Sequence, residues 1–280
     1  MTHKGNKAKA TVKYKDKLIL DVQHISKSYA QNKIFRNLNW TVERGQFWGI
    51  IGPNGCGKTT LLHLISGVEK LDEGQILLEG QSVHKYSRKS LAQKLAVLKQ
   101  DGIPPMSYTV REVIEMGRFP FQSWLGKEKQ QQKNDVVEEI LHLLDLKELA
   151  SVPLHLLSGG QRQRVALGKV MAQEPKLVLL DEPTTFLDLR YQMQFMELVA
   201  KWQQEQGLTV IAVMHDLNLA SLFCNQLLLL SQGEIYAQGT PAEVLSPEVV
   251  QSIFDVSSLV AIHPKYQLPQ IMLNRKQGKD

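Results

Sequence analysis

The chain has 280 residues, is 43% hydrophobic and carries a formal net charge of +5. This length is long for one compact domain and short for two large ones, and the composition allows a substantial buried core. No stretch of 18 or more uninterrupted apolar residues occurs, so we expect no transmembrane helix. The two cysteines, Cys56 and Cys224, have neither metal-type nor disulfide-type spacing, which indicates a reducing compartment.

The first segment of the chain is rich in lysine. Residues 1–17 contain six lysines and no apolar run, so we expect a flexible basic tail there and not a secretory signal. Much of the net charge lies in this segment, and the remainder is close to neutral. The sequence pI of about 9.0 is therefore a poor indication of a nucleic-acid partner.

Three strand-like runs follow the tail. They are Leu18–Val22, Leu38–Val42 and Gln75–Leu78, and the turn residues Asp72, Glu73 and Gly74 precede the last one. We expect them to form a small antiparallel layer.

The segment from Gly52 to Thr59 matches the phosphate-loop pattern G-x-x-x-x-G-K-[ST]. An apolar strand-like run, 47–51, precedes it, and a helix-like run, 59–65, follows it. The glycines allow a curled backbone whose N–H groups cradle phosphate, and the helix N-terminus adds positive potential. Lys58 can reach the terminal phosphates, and Thr59 can bind Mg²⁺. The pattern predicts a nucleoside triphosphate site.

The middle of the chain, about residues 101–165, reads as helical. Pro104 and Pro105 interrupt the chain, and an apolar stripe with helical spacing then indicates a packed helical subdomain. That stripe consists of Val136, Val137, Ile140, Leu141, Leu144 and Leu149.

Buried strands return near Lys176. The runs 177–180 and 209–214 are nearly all apolar, which is typical of parallel strands covered on both faces. Thr240, Pro241 and Glu243 predict a capped helix start. From Val256 onward periodicity is weak, and we expect a peripheral appendage over 256–280.

Two polar sites end these buried strands. Asp181 and Glu182 follow the first strand, where Asp181 can bind Mg²⁺ and Glu182 can polarise an attacking water. His215 follows the second strand, and its ring N–H could donate to the γ-phosphate. Ligands bind at the carboxyl ends of parallel strands in open α/β sheets. Ser158, Gly159, Gly160 and Gln161 lie before a predicted helix and offer a second anion nest.

With two phosphate nests, the chain resembles the ATP-binding-cassette ATPases from about residue 18 to residue 255. The resemblance implies an α/β fold with a phosphate-loop NTPase core, a mostly parallel sheet, an antiparallel β subdomain and an inserted helical subdomain. It also implies an ATPase that uses ATP and Mg²⁺. The residues implied to bind nucleotide are Tyr29, which stacks on adenine, Gly52, Asn54, Gly55, Cys56, Gly57, Lys58, Thr59, Thr60, Ser158, Gly159, Gly160 and Gln161.

The same resemblance implies roles in catalysis. Glu182, His215 and Gln100 are the implied catalytic residues, and Thr59, Gln100 and Asp181 are the implied metal ligands. Asp188 matches the loop that couples two sites. Cys56 stands where Ser or Ala is more usual, and nearby Lys58 could lower the pKa of its thiol.

Short segments are similar to the importers of iron-siderophore, haem and cobalamin. They are Met116–Pro120, with Gly117, Arg118 and Pro120, the segment Thr184–Leu189, and Met214–Asn218. We expect an importer ATPase for a ferric siderophore or related iron chelate. A cassette for cobalamin, haem, zinc or another solute, an exporter subunit, a non-transport cassette protein and a phosphate-loop kinase are the alternatives.

The resemblance also implies partners. Two copies face head to tail, with ATP between the phosphate loop of one and the signature of the other, so a homodimer holds two ATPs. A separate integral-membrane permease is expected at the cytoplasmic face of the cell membrane, with an extracytoplasmic substrate-binding protein as an indirect partner and no nucleic acid. The Arg118 segment is expected to lie near the permease contact.

Overall fold

The computed structural model describes residues 17–122 and 130–275. Its strands are β1 (Leu18–Tyr29), β2 (Asn32–Glu43), β3 (Phe47–Ile51), β4 (Glu73–Leu78), β5 (Gln81–Ser82), β6 (Leu95–Leu98), β7 (Leu177–Asp181), β8 (Thr209–Val213), β9 (Gln226–Ser231), β10 (Glu234–Gly239), β11 (Ser258–Ile262) and β12 (Pro269–Leu273). Its α-helices are α1 (Lys58–Ile65), α2 (Arg88–Ala92), α3 (Val110–Met116), α4 (Gln130–Leu143), α5 (Gly159–Met171), α6 (Leu189–Gln206), α7 (Leu217–Phe223), α8 (Pro241–Val244) and α9 (Pro247–Phe254).

The chain divides into two compact units, one of residues 1–85 and 209–280 and the other of residues 86–208. In the first unit, β1 pairs antiparallel with both β2 and β4, and β5 pairs with β4. This confirms the predicted antiparallel layer. A second sheet places β3 between β8 and β9 in parallel, and β10 pairs antiparallel with β9.

The core of the first unit lies under its parallel strands. Every residue of β3 and of β8 is buried, which is the pattern expected for strands covered on both faces. Trp40 and Trp48 also meet edge to face, with ring centroids 5.2 Å apart.

The antiparallel layer is longer than the sequence predicted. The run Leu18–Val22 belongs to a twelve-residue strand, β1, and Leu38–Val42 belongs to a twelve-residue β2. The two join at Ala30, which has a φ of 51°. The added halves are mostly exposed or half-buried, with several register shifts, so they lack the regular alternation that reveals a strand.

The second unit contains the parallel pair β6 and β7 together with α2 to α6. Helices α3, α4 and α5 contact one another, as the predicted helical subdomain requires. Val137, Ile140, Leu141 and Leu144 of the predicted stripe are buried. The domain limits set from sequence stay a prediction, and the basic tail, apart from Lys17, lies outside the described residues.

The segment after Val256 contains a hairpin. Strands β11 and β12 pair antiparallel, with Val260 opposite Ile271. The hairpin is attached to α7, because the Asn218 side chain donates to the Ile271 carbonyl (3.2 Å) and accepts from the Ile271 N–H (2.6 Å).

Candidate functional site

The phosphate loop joins β3 to α1 in the first unit. Gly52 has a φ of +146°, and a Cβ there would lie 2.2 Å from the Leu230 carbonyl oxygen. Gly57 has a φ of +103°, and its Cβ would lie 2.7 Å from Cζ of Phe35. Both positions therefore require glycine for conformation and for space. Asn54 and Gly55 form the exposed tip between them.

The ammonium group of Lys58 lies against this loop. Its Nζ donates to the carbonyl oxygens of Gly52 (2.8 Å) and Pro53 (3.0 Å), and the residue is only 6% exposed. Thr59 and Thr60 follow in the first turn of α1. The loop therefore places one fixed cation beside the N-terminus of a helix, which suits a polyphosphate ligand.

Tyr29 lies at the end of β1 and is 43% exposed. Its hydroxyl donates to Glu69 and interacts with the Thr60 side chain, which places the ring close to α1. Partial burial and the hydrogen bond to Glu69 raise the pKa of Tyr29. An exposed aromatic ring beside the phosphate-loop helix is suited to stacking on a base.

His215 reaches the same edge of the first unit's sheet as the phosphate loop. Ile50 of β3 pairs with Val213 of β8, and the Met214 N–H donates to the Ile50 carbonyl at 3.0 Å. Gly52 and His215 each lie two residues beyond this pair. Asp216 then caps α7 by accepting from the N–H groups of the next turn. The sequence predicted His215 at the carboxyl end of a buried parallel strand, and the structure places it there.

The carboxylates lie in the second unit, at the end of its own parallel pair. Leu98 of β6 pairs with Leu180 of β7, and Gln100 and Glu182 lie two residues beyond. Gln100 Nε2 donates to Glu182 Oε2 at 2.7 Å. Asp181 is the last residue of β7 and is 8% exposed. Glu182 turns away from the strand direction with a φ of +47°.

Sequence reasoning missed one contact in this cluster. The Thr185 hydroxyl donates to the same Glu182 oxygen at 3.3 Å, so two side chains orient that carboxylate. The spacing of three residues within a turn was the signal that could have shown it.

The Ser158 segment forms the N-terminus of α5 in the second unit. The Ser158 hydroxyl accepts from the Gln161 N–H (3.3 Å), and the Ser158 N–H donates to Gln161 Oε1 (2.8 Å), which makes a capping box. Ser158 and Gly159 are exposed, and a Cβ on Gly159 would meet nothing within 4 Å. A Cβ on Gly160 would lie 2.8 Å from the Tyr191 ring.

Two large apolar side chains near Asp188 are exposed. Asp188 caps α6 by accepting from the Tyr191 N–H at 3.0 Å. On either side of it, Phe186 is 88% exposed and Leu189 is 73% exposed. The family resemblance implied a coupling role for Asp188, but nothing in the sequence indicated that its neighbours are exposed.

Arg118 does not lie on a docking surface, contrary to the expectation from sequence. It is 1% exposed, donates to the Ala172 carbonyl at 2.9 Å and forms an ion pair with Glu174. Its guanidinium carbon also lies 4.0 Å from the centroid of the Phe121 ring. Burying an arginine requires such partners. The neighbouring Phe119 is instead 73% exposed.

The expectation for Cys56 was also wrong. The residue is 8% exposed, and burial raises the pKa of its thiol, although the nearby Lys58 charge opposes that shift. Burial likewise raises the pKa of Cys224. Burial therefore disfavours the thiolate form of both cysteines.

A phosphate loop after a buried parallel strand, together with strand-end acidic residues, defines a phosphate-loop nucleoside triphosphatase. The ABC transporter family model matches residues 35–185, which is more than half of the chain. The chain belongs to the ABC transporter ATP-binding family and is an ATPase whose hydrolysis of ATP drives transport.

Individual relatives agree with this family. The iron(3+)-hydroxamate import ATP-binding protein FhuC of Bacillus subtilis (strain 168) is 35% identical over 250 residues, with 89% of this chain and 93% of FhuC covered. The chain spans only 58% of one longer relative.

Two solved structures extend the comparison. An inward-facing ABC transporter provisionally described as metal-chelate type has a TM-score of 0.80 and 28% identity, covering 93% of this chain and 98% of that one. The dimeric ATP-binding cassette MJ0796, in a post-hydrolysis state with ADP and Pi bound, has a TM-score of 0.68 and 27% identity, covering 79% and 98%.

Proposed function

We propose that this chain is the ATP-hydrolysing subunit of a bacterial importer that takes up a ferric siderophore or related iron chelate through a separate permease. The observation that carries the ATPase chemistry is the phosphate loop, with glycine required at both ends and Lys58 held against its carbonyls. The iron-chelate cargo is supported by the likeness to FhuC, whose name states iron(3+)-hydroxamate import.

In the first unit, the loop N–H groups and Lys58 bind the phosphates, and Tyr29 stacks on adenine. On binding ATP, Lys58 exchanges the loop carbonyls for phosphate oxygens, which are stronger charge-assisted acceptors. His215 donates a ring N–H toward the γ-phosphate. A site of this kind binds by charge and by oriented N–H groups, so the loop conformation is the essential feature.

In the second unit, Glu182 polarises the attacking water. Its Oε2 already accepts from Gln100 and Thr185, so the carboxylate is held in one orientation before substrate arrives. A base that is already oriented loses less conformational freedom on the way to the transition state. Asp181 and Gln100 are metal ligands in this scheme.

The residues fit a Mg²⁺ that is shared with the nucleotide. No group of three or more His, Cys, Asp or Glu side chains that could hold a metal occurs in residues 17–122 and 130–275. Mg²⁺ in such enzymes is usually bound by one or two carboxylates, and phosphate and water complete its shell. Thr59 in the first unit is a proposed ligand, as are Asp181 and Gln100 in the second unit, and the ion would supply positive charge beside the phosphates.

A second copy of the chain is the proposed partner at the signature. The α5 N-terminus is exposed at Ser158 and Gly159, and Phe186 and Leu189 are exposed beside Asp188. Exposed glycines at a helix N-terminus suit a phosphate carried by another molecule. The solved structure of the MJ0796 cassette is dimeric, which supports a second copy as the partner.

The permease contact is proposed to lie at Phe119 in place of Arg118. Phe119, Tyr108 and Met116 are exposed and line a groove of about 370 Å³ in the second unit. Exposed apolar side chains of this size are typical of interaction sites. No helix within the described residues is long and apolar enough to cross a membrane. The likeness to the import ATP-binding protein FhuC supports our proposal that the subunit lies at the cytoplasmic face of the cell membrane.

The test is an uptake assay in a strain that lacks this gene. We expect loss of growth on a ferric siderophore as the only iron source, with rescue by the wild-type gene and none by Lys58→Ala. Unchanged iron-chelate uptake together with a defect in cobalamin, haem, zinc or another solute would assign that cargo to the same cassette. A strain with no transport defect would favour a non-transport role.

A further inference from the structure

The β11–β12 hairpin of the first unit has two different edges. The His263 N–H donates to the Leu268 carbonyl, and the Asn274 N–H donates to the Ser257 carbonyl. Together with the register of the two strands, these bonds show that the odd-numbered residues of β11 direct their backbone N–H and C=O groups toward β12. The N–H and C=O groups of Ser258, Val260 and Ile262 therefore point away from β12.

The edge of β12 is covered by α7. The Asn218 amide bonds both backbone groups of Ile271, and the Ser221 hydroxyl donates to the Pro269 carbonyl at 2.6 Å. The side chains of Asn218 and Ser221 thus form the hydrogen bonds that a neighbouring strand would otherwise form along the outer edge of β12.

The edge of β11 has no such hydrogen-bonded cover, although α9 contacts the strand and the Ser258 hydroxyl is buried. Within residues 17–122 and 130–275, no hydrogen bond is made by the outward N–H groups of Ser258, Val260 and Ile262. The strand reads Ser-Leu-Val-Ala-Ile, with no charge and no proline, and β11 has no bulge against β12. Proteins normally protect a free edge with those devices, so an unprotected edge indicates a pairing partner.

We propose that β11 pairs antiparallel with β11 of a second copy, forming a four-stranded sheet across a two-fold axis. This pairing rests on the proposed function in one respect, which is that a second copy of the chain is the partner. The β11 contact itself needs no nucleotide. An isologous contact of this kind uses the same strand twice.

The side chains of β11 complement themselves under that symmetry. Centring the pair on Val260 uses all three outward N–H groups and places Ser258 opposite Ile262 of the other copy. Leu259 then lies opposite Ala261. Ile262 and Leu259 each face a smaller side chain, Val260 faces its own copy, and no like charges face each other. Leu259 and Met272, 56% and 51% exposed, would form a continuous apolar face across both copies.

The expected contact is weak on its own. One edge of five residues buries far less than the roughly 800 Å² per partner of an ordinary stable interface. We therefore expect self-association that depends on protein concentration and that adds to any ATP-bridged dimer.

Sedimentation velocity of the full chain without nucleotide tests this contact. We expect reversible dimers at high concentration, and Val260→Pro, which removes the central N–H, should weaken them at least about tenfold. Val260→Thr keeps the N–H and the shape and is the matched control. A chain that stays monomeric at every concentration, or equal dimerisation of the proline and threonine variants, would overturn the proposal.

Cross-linking tests the register independently. Val260→Cys should form a disulfide-linked dimer on mild oxidation, since paired Cα atoms lie about 5.5 Å apart. Leu259→Cys faces Ala261 of the other copy and should not cross-link with itself. Cys56 and Cys224 are 8% and 4% exposed and give little background. Equal cross-linking by both variants would refute the register.

Lys58→Ala separates this contact from the ATP-bridged dimer. The nucleotide-free association should be unchanged in that variant, and its loss there would count against a nucleotide-independent contact. Failure of ATP to dimerise a hydrolysis-deficient variant would bear on the proposed function alone.

Discussion

The phosphate loop of the first unit and the Ser158 turn of the second unit both place glycines ahead of a helix, but they are built differently. In the phosphate loop, neighbouring atoms fill the space that a Cβ would need at Gly52 and Gly57, and Lys58 is buried against loop carbonyls. At the Ser158 turn, Gly159 faces open space and Ser158 is exposed.

This difference separates two kinds of anion site. The phosphate loop is shaped and charged by its own surroundings, so it can bind nucleotide in a single chain. The Ser158 turn supplies N–H groups and a helix N-terminus, and the Arg162 guanidinium beside it donates to the Leu157 carbonyl at 2.6 Å. It suits a ligand that another chain already holds.

The largest expected effect comes from Lys58→Ala. Removing the ammonium should lower ATP hydrolysis by about 10³-fold, because the charge beside the phosphates is lost. The measurement is ATP turnover, with nucleotide binding followed by calorimetry. Lys33→Ala, at an exposed lysine of β2, is the control. Normal turnover by Lys58→Ala with an intact thermal transition would contradict the role of the loop.

Glu182→Gln should slow hydrolysis by about 10²–10³-fold while ATP binding is kept. The amide keeps the shape of the side chain but cannot take a proton from water. Light scattering should show dimers that require ATP and Mg²⁺, since the γ-phosphate persists. Glu197→Gln, at an exposed site on α6, should behave as wild type. Persistent monomers of Glu182→Gln at saturating ATP would show that the Ser158 turn does not bind nucleotide across two chains.

Paired glycine substitutions address the comparison directly. Gly57→Ala should destabilise the fold by about 1–3 kcal/mol, because φ is +103° and the new Cβ would meet Phe35. Gly159→Ala should leave the free energy of unfolding unchanged or raise it by up to about 1 kcal/mol. Urea unfolding measures both.

The same pair separates stability from function. Gly159→Ala should still lower ATP-driven dimerisation, because its new methyl group would lie where the second chain's phosphate approaches. If Gly159→Ala leaves dimerisation and hydrolysis untouched, the exposed turn has another role.

The parts of the fold that could be predicted share one physical basis. Strands such as β3 and β8 are buried on both faces, so their sequences are nearly all apolar, and polar residues mark their ends. Gln100, Glu182 and His215 follow such strand ends. In two parallel strands, residues that follow a paired position by the same number of residues lie close together. The Gln100–Glu182 hydrogen bond is an example.

What could not be predicted depends on contacts distant in the chain. Arg118 donates to the Ala172 carbonyl, 54 residues away, and pairs with the Glu174 carboxylate, 56 residues away, and nothing near Arg118 in the sequence reveals these partners. The burial of Cys56 follows from packing around the phosphate loop. The nearby charge of Lys58 alone therefore predicted the wrong direction for the pKa of the Cys56 thiol. In the added halves of β1 and β2, the buried residues Ile25 and Phe35 are isolated among exposed or half-buried ones, so regular alternation is absent.

Arg118 and Phe119 are neighbours with opposite environments. Arg118→Ala should destabilise the second unit by about 2–4 kcal/mol, since the Ala172 carbonyl and Glu174 lose their partner. Phe119→Ala should change the free energy of unfolding by less than about 0.5 kcal/mol, because the side chain is 73% exposed. Copurification with the permease should fall for Phe119→Ala. Equal stability of the two variants would show that Arg118 does not hold the unit together.

The smallest expected effect concerns Cys56. Burial raises the pKa of its thiol above that of an ordinary cysteine, so the thiolate fraction at neutral pH is below that of an ordinary exposed thiol and increases as the pH rises. We therefore expect alkylation of the native protein to be slow at pH 7 and faster at higher pH. Cys56→Ser should keep ATP turnover within about twofold of wild type, because only small changes in packing follow. Mass spectrometry of iodoacetamide-treated protein, with unfolded protein as the reference, measures the rate at each cysteine. Rapid labelling of Cys56 at neutral pH, with protection by ATP, would show that the Lys58 charge outweighs burial and that the phosphate loop opens to solvent more than its packing implies.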